Sequence, residues 1–281
     1  MSTRARIHPI RRTIRFWFWR VVVGFATCGW VRIRIEGRER LPDGPAIYAF
    51  NHLSWADPFV LTASLPWRRR LFFFGPKEED MAAGPRNRVM SWTGASIPYK
   101  PGKNDLLEAT RRVGAVVADG AVVAIAAEGR IGAIESALLP LNDGPAYFAM
   151  RSRVPLVPIA INGTSWLRFG AQIRVRIGEP ILPDGRPDRT AVAALTGTLA
   201  LALAALVADA PDQQPPGRVG RLLTECFNDW PEGSRSAALD AQRAESTATY
   251  AGPPSIAGTD TPGATAVRTP MGSDPSGAAG S

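Results

Sequence analysis

Apolar and charged side chains alternate at every second residue from Val31 to Glu36, with Val31, Ile33 and Ile35 set against Arg32, Arg34 and Glu36. That period predicts a strand with one wet face. Ile173, Val175 and Ile177 against Gln172, Arg174 and Arg176 repeat the pattern. Between them, apolar runs at residues 46–50, 71–75, 95–99, 121–127 and 156–161 read as more deeply buried strands. Helical spacing occupies most of the gaps, at residues 57–65, 78–92, 103–119, 144–153 and the Ala/Leu-rich 190–208. Strands alternating with helices predict an α/β fold, with a mixed, mostly parallel sheet flanked by helices. Three prolines between Asp209 and Gly217 mark a linker, and residues 218–230 suit one last amphipathic helix. From Pro231 onward Ala, Gly, Pro, Ser and Thr dominate, too few apolar side chains to offset the entropy of ordering, and a disordered tail is expected. The expected organisation is a basic, hydrophobic segment over residues 1–30, a folded domain over 31–208, the linker and short helix over 209–230, and the tail over 231–281.

Charge changes the picture at the amino end. Residues 1–40 hold ten arginines against Glu36 and Glu39, which alone accounts for the formal net charge of +8 of the 281-residue chain. Such a stretch suits an anionic partner, nucleic acid or the cytoplasmic leaflet of a membrane. Its neighbours favour the membrane. Thr13 to Val31 reads TIRFWFWRVVVGFATCGWV, and aromatic residues mixed with arginine mark a bilayer interface. The unbroken apolar run, Val21 to Val31, is short of the roughly 20 residues a span needs. Arg11, Arg12 and Arg15 fall on one side of a helix and Arg20 nearly opposite, which favours snorkelling and a helix lying in the interface; a signal-anchor span and a buried core helix are the alternatives. No small-x-small cleavage site follows, so a cleaved signal peptide is not expected.

Cys28 and Cys226 are the only cysteines, and they are far apart, so neither a disulfide framework nor a zinc site is expected. The chain has two histidines, and one of them carries the candidate chemistry. His52 follows the run 46–50 and precedes a helix, which places it at the carboxyl end of a strand, where open α/β sheets keep their sites. A neutral imidazole can take a proton from an alcohol when a carboxylate fixes its tautomer, and Asp57 is the nearest candidate. Asp57-Pro58 is also an ordinary helix start, Asp as cap and Pro at the first helical position. One carboxylate can serve both roles.

Asn51, His52 and Asp57 resemble the first motif of the glycerolipid acyltransferases typified by the lysophosphatidic acid acyltransferases, an Asn-His pair with four residues between the His and an Asp. Three further blocks follow in the family's order. Gly94-Ala-Ser-Ile-Pro-Tyr-Lys100 is similar to the second, with Lys100 where the family usually has Arg; lysine keeps the charge for a phosphate and loses the bidentate fork. Ala126-Ala-Glu128-Gly129-Arg130-Ile-Gly132 stands in place of the third, Phe-Pro-Glu-Gly-Thr-Arg. Glu128 and Gly129 match, Phe-Pro is replaced by Ala126-Ala127, and Arg130 arrives one residue early. Val154-Pro155-Leu-Val-Pro158-Ile-Ala-Ile161 matches the proline-punctuated fourth block, which could equally be purely architectural. The resemblance spans roughly residues 31 to 180.

It implies an O-acyltransferase in which His52, oriented by Asp57, deprotonates a lysophospholipid hydroxyl for attack on an acyl thioester, of CoA or of acyl carrier protein. Lysophosphatidic acid giving phosphatidic acid is the leading expectation, with Asn51, Lys100, Glu128, Gly129 and Arg130 as substrate-binding residues. Another lysolipid or lipid alcohol as acceptor, and a non-catalytic lipid-binding relative, are the alternatives. No G-x-S-x-G elbow occurs and neither cysteine neighbours a histidine, so an acyl-enzyme is not expected. No cofactor, no metal and no nucleic-acid partner are expected, and the chain is placed on the cytoplasmic face of the cell membrane, peripheral or monotopic. Arg68, Arg69 and Arg70 are a further basic triplet, either a solvated face or a site of attraction for phosphate or a carrier protein.

Overall fold

The computed structural model describes residues 9–76, 94–99, 103–228 and 230–250. The expected helix at 78–92 and Lys100 lie outside the described residues. Among the described residues seven strands form one sheet in the order β1-β7-β6-β2-β5-β3-β4. They are β1 (Arg32–Glu36), β2 (Ile47–Phe50), β3 (Leu71–Pro76), β4 (Ser96–Tyr99), β5 (Val122–Ala126), β6 (Leu156–Asn162) and β7 (Gln172–Ile177). Every neighbouring pair is parallel except β6 with β7, the mixed, mostly parallel α/β sheet that the spacing of apolar runs predicts.

The described helices are α1 (Pro9–Trp30), α2 (Asp57–Ser64), α3 (Lys103–Ala118), α4 (Gly144–Ser152), α5 (Arg189–Val207), α6 (Arg218–Phe227) and α7 (Arg235–Tyr250). Side chains on successive strand residues point to opposite faces, so β2 feeds two cores. Ile47 and Ala49 join Val113, Val117, Phe148, Leu199 and Leu203 under α3, α4 and α5. Tyr48 and Phe50 join Val60, Leu61 and Leu65 of α2 on the other side. Among the described residues α5 alone is long and apolar enough to cross a membrane. It packs on the domain through Val192, Leu199, Leu203 and Val207, one helical stripe, while Leu201 on another face is 76% exposed.

Two expectations change here. Arg20 does not snorkel: its side chain is buried, and its guanidinium donates to the carbonyls of Leu65 at 3.1 Å and Pro66 at 2.7 Å, the end of α2. Last-turn carbonyls lack partners within their own helix, so a cation there satisfies both the lone pairs and the helix dipole. Burial lowers the Arg20 pKa to about 10, still far above neutrality. The tail is also not disordered from Pro231, since α7 occupies Arg235–Tyr250. Its few apolar groups suffice because Ala238 and Leu239 close a small cluster with Trp230, Ile131 and Ala133, and its polar groups bind backbone.

Candidate active site

β2 lies between β6 and β5, and the carboxyl ends of all three converge. From β2 the chain runs into Asn51 and His52, from β5 into Glu128, and from β6 into Gly163 and Thr164. His52 Nδ1 stands 2.9 Å from Asp57 Oδ2. The same oxygen accepts the backbone N–H groups of Leu53 at 2.8 Å and Ser54 at 2.9 Å, while Oδ1 accepts the Thr164 hydroxyl at 2.6 Å. Asp57 is fully buried, 0% exposed, and its charge is offset by these donors and by the start of α2. The helix-cap expectation is corrected by this geometry. Ala56 is the N-cap, Pro58 follows within the first turn, and the carboxylate turns back toward the histidine loop instead of capping α2.

With Nδ1–H directed at Asp57, Nε2 carries the free lone pair. The imidazole side chain is 18% exposed, so a substrate can reach it. Asn51 was expected to bind substrate; its side chain is buried and bonded twice to Ile161, donating to the carbonyl at 3.0 Å and accepting from the N–H at 2.7 Å. It extends the β2–β6 pairing by one rung and so aims the next residue, His52.

The Glu128–Gly132 loop grips the His52 backbone from the other side. Glu128 Oε2 accepts the His52 N–H at 3.4 Å, and the Gly132 N–H donates to the His52 carbonyl at 2.7 Å. Gly129 takes φ +70°, and a Cβ there would meet Asn142 Nδ2 at 2.2 Å, so the turn requires glycine. Arg130 Nη1 pairs with Glu232 Oε1 at 3.3 Å, a partner from beyond the expected domain. Arg68 to Arg70 are not part of this assembly. They precede β3, at the amino edge of the sheet, where Arg69 contacts Asp43 and Arg70 contacts Asp119.

Burial pushes the Glu128 carboxyl up to about 8, with Asp57 adding to the rise and the His52 and Leu139 N–H groups opposing it. The folded protein therefore holds a proton that the unfolded chain has released, between the ordinary glutamate range and pH 8. Folding stability should fall as pH rises through that window and level off above it. Glu128→Gln is expected to remove this slope, gaining on the parent by at most on the order of a few kcal/mol by pH 8. Denaturant titrations of both proteins at pH 5, 7 and 9 check this; parallel curves would contradict it.

Three contributors escaped the sequence reading. Thr164 bonds Asp57 from 107 positions away. Glu135, buried, accepts the N–H groups of Gly163 at 2.8 Å and Ser165 at 3.1 Å and so shapes the loop presenting Thr164; burial raises its pKa. Asn228 accepts from Ser54 Oγ at 3.0 Å and from Trp55 N at 2.8 Å. A Thr-Ser pair just past a buried strand was a usable signal for the first. Among the described residues no group of three or more His, Cys, Asp or Glu could hold a metal ion.

A histidine backed by a buried carboxylate at converging strand ends is an arrangement able to take a proton from a hydroxyl. Residues 32–162 match the model of the family described as Acyltransferase. That match takes in the His52–Asp57 pair and the Glu128 loop and spans less than half of the chain. Its fold is similar to that of the 1-acyl-sn-glycerophosphate (LPA) acyltransferase PlsC from Thermotoga maritima, with a TM-score of 0.53 at 18% identity over 72% of this chain and 83% of that one.

Proposed function

We propose that this chain is an acyltransferase that moves a fatty acyl group from an acyl thioester, of CoA or of acyl carrier protein, to the hydroxyl of lysophosphatidic acid, giving phosphatidic acid. The observation that carries the reading is the 2.9 Å contact of His52 Nδ1 with a fully buried Asp57. Nε2 takes the hydroxyl proton as the oxygen attacks the thioester carbonyl. The tetrahedral adduct collapses with cleavage of the C–S bond, and the leaving thiolate takes the proton back from the imidazolium. Asp57 stabilises that transient cation, and no acyl-enzyme forms. The acceptor rests on the likeness to the LPA acyltransferase PlsC and on the charge of Arg130.

The Arg130–Glu232 pair favours a second reading. A carboxylate 3.3 Å from the arginine neutralises part of the charge a phosphomonoester would seek, which suits a less anionic lysolipid or lipid alcohol. Purified full-length protein in detergent, given acyl-CoA and a panel of lysophosphatidic acid, zwitterionic lysolipids and monoacylglycerol, tests both by mass spectrometry. Phosphatidic acid as the main product is expected. Product from neutral or zwitterionic acceptors alone would transfer the assignment to the second reading, and no acceptor-dependent thiol release would remove both.

The same proposal places the chain on a membrane, peripheral or monotopic on the cytoplasmic face. Ile10, Ile14, Phe18, Val21, Val22 and Phe25 form one exposed stripe of α1, opposite the stripe of Phe16, Arg20 and Val23 that packs inward. Phe18 and Phe25, 58% and 73% exposed, touch too little protein for their replacement to unfold the domain. Phe18→Asp with Phe25→Asp is expected to weaken binding to anionic vesicles by about tenfold or more, checked by vesicle sedimentation. Unchanged sedimentation would refute α1 as the membrane face.

A further inference from the structure

The reacting loop, His52 to Asp57, allows a complete account of its backbone donors. The His52 N–H goes to Glu128, those of Leu53 and Ser54 to Asp57, that of Ala56 to Ser54 Oγ at 3.1 Å, and that of Asp57 to the Ser54 carbonyl at 3.0 Å. The remaining one, Trp55 N–H, goes to Asn228 Oδ1 at 2.8 Å, which also takes the Ser54 hydroxyl at 3.0 Å. So the loop is held from outside itself at its start by Glu128 and at its middle by a residue 174 positions along the chain from Ser54.

Asn228 stands on a built support. It is buried, its own N–H is bonded to the Thr224 carbonyl at 3.0 Å, and Thr224 Oγ1 accepts the Leu167 N–H at 2.9 Å. Beyond it, Gln242 Oε1 accepts the Ala133 N–H at 2.8 Å, and Arg235 donates to the carbonyls of Ala133 at 2.9 Å and Ser165 at 3.2 Å while lying over the Trp166 ring. The segment therefore touches the loop after β2, the loop after β5 and the loop after β6. It begins well past residue 162, where the family match ends.

We propose that Asn228 is a positioning residue for the His52–Asp57 pair, so that Asn228, Arg235 and Gln242 complete the active site from outside the family match. This rests on the general-base reading above. Ser54 gives its N–H to Asp57 and its hydroxyl to Asn228, so a shift at Asn228 rotates the turn that delivers two of the donors on Asp57 Oδ2. A misplacement of about 1 Å at a reacting pair can cost about 10²-fold in rate.

The test uses full-length Asn228→Ala, Asn228→Asp, which keeps an acceptor oxygen in place, and Val192→Ala, which thins the core under α5 without touching the loop. Two readouts apply: kcat and KM for acyl transfer, and the imidazole Nδ1 proton signal of His52 in ¹⁵N-histidine spectra, readily assigned because the chain has only two histidines. Asn228→Ala should lower kcat about tenfold to a hundredfold with KM within about threefold, and should broaden the Nδ1 proton signal. Asn228→Asp should recover most of both. Val192→Ala should lower Tm comparably and leave kcat and the signal unchanged. The proposal is overturned if Asn228→Ala keeps kcat and the signal, or if Val192→Ala at equal Tm loses as much of each. If the parent protein transfers no acyl group to any acceptor, the functional reading fails, and the His52 spectra still decide the role of Asn228.

Discussion

His52→Ala is expected to lower kcat for acyl transfer by about 10²- to 10⁴-fold, the range general-base assistance supplies, and to leave Tm nearly unchanged. The asymmetry follows from where the imidazole sits. Its ring is partly exposed and takes one of the four hydrogen bonds on Asp57, while the backbone of residue 52 keeps its bonds to Glu128 and Gly132 whatever the side chain. Alanine therefore removes the base without opening the loop. Steady-state kinetics with circular dichroism on the same preparation checks it. Retention of more than about a tenth of the parent kcat would show that another group takes the proton.

Asp57 is expected to separate charge from structure. Its Oδ2 accepts three donors, from His52, Leu53 and Ser54, and its Oδ1 accepts only the Thr164 hydroxyl. In Asp57→Asn the amide oxygen can take the first place and the amide nitrogen the second, because a threonine hydroxyl turns to accept as readily as it donates. All four contacts survive and the negative charge does not. Asp57→Asn should thus fold within about 1 kcal/mol of the parent yet lose about 10²-fold or more in kcat, since the imidazolium goes unstabilised. Asp57→Ala leaves buried N–H groups without partners and should cost about 3 kcal/mol or more in stability as well. Denaturant unfolding beside kinetics distinguishes the pair. Equal stability losses in both variants would mean that the charge, not the hydrogen bonds, holds the loop.

What could be read from the chain was what lies close together in it. Period-two alternation and short apolar runs located each of the seven described strands, because a strand's facing pattern is local. His52 and Asp57 were legible for the same reason, being five positions apart on either side of one turn. Thr164, Glu135 and Asn228 were not, because their roles depend on which strand ends converge, and strand order is not written in any single segment. Asn51 shows the reverse error: a polar residue beside a catalytic candidate invites a substrate role, and its burial against Ile161 assigns it to aiming instead. The tail was misjudged by composition. Residues 231–250 hold few apolar groups, but Gln242 and Arg235 bind backbone carbonyls and N–H groups that hydropathy does not weigh.

One consequence concerns distance from the bilayer. Helix α2 packs along α1, with Phe59 near its start against Trp19 and its end at the Leu65 and Pro66 carbonyls that Arg20 holds. If α1 lies on the membrane as proposed, α2 is a spacer one helix thick between lipid and chemistry. The altitude of the imidazole above the acyl chains is then set by one helix and one arginine. Acceptor choice becomes a matter of reach as well as charge: a lipid whose free hydroxyl cannot rise to that level is a poor substrate whatever its headgroup.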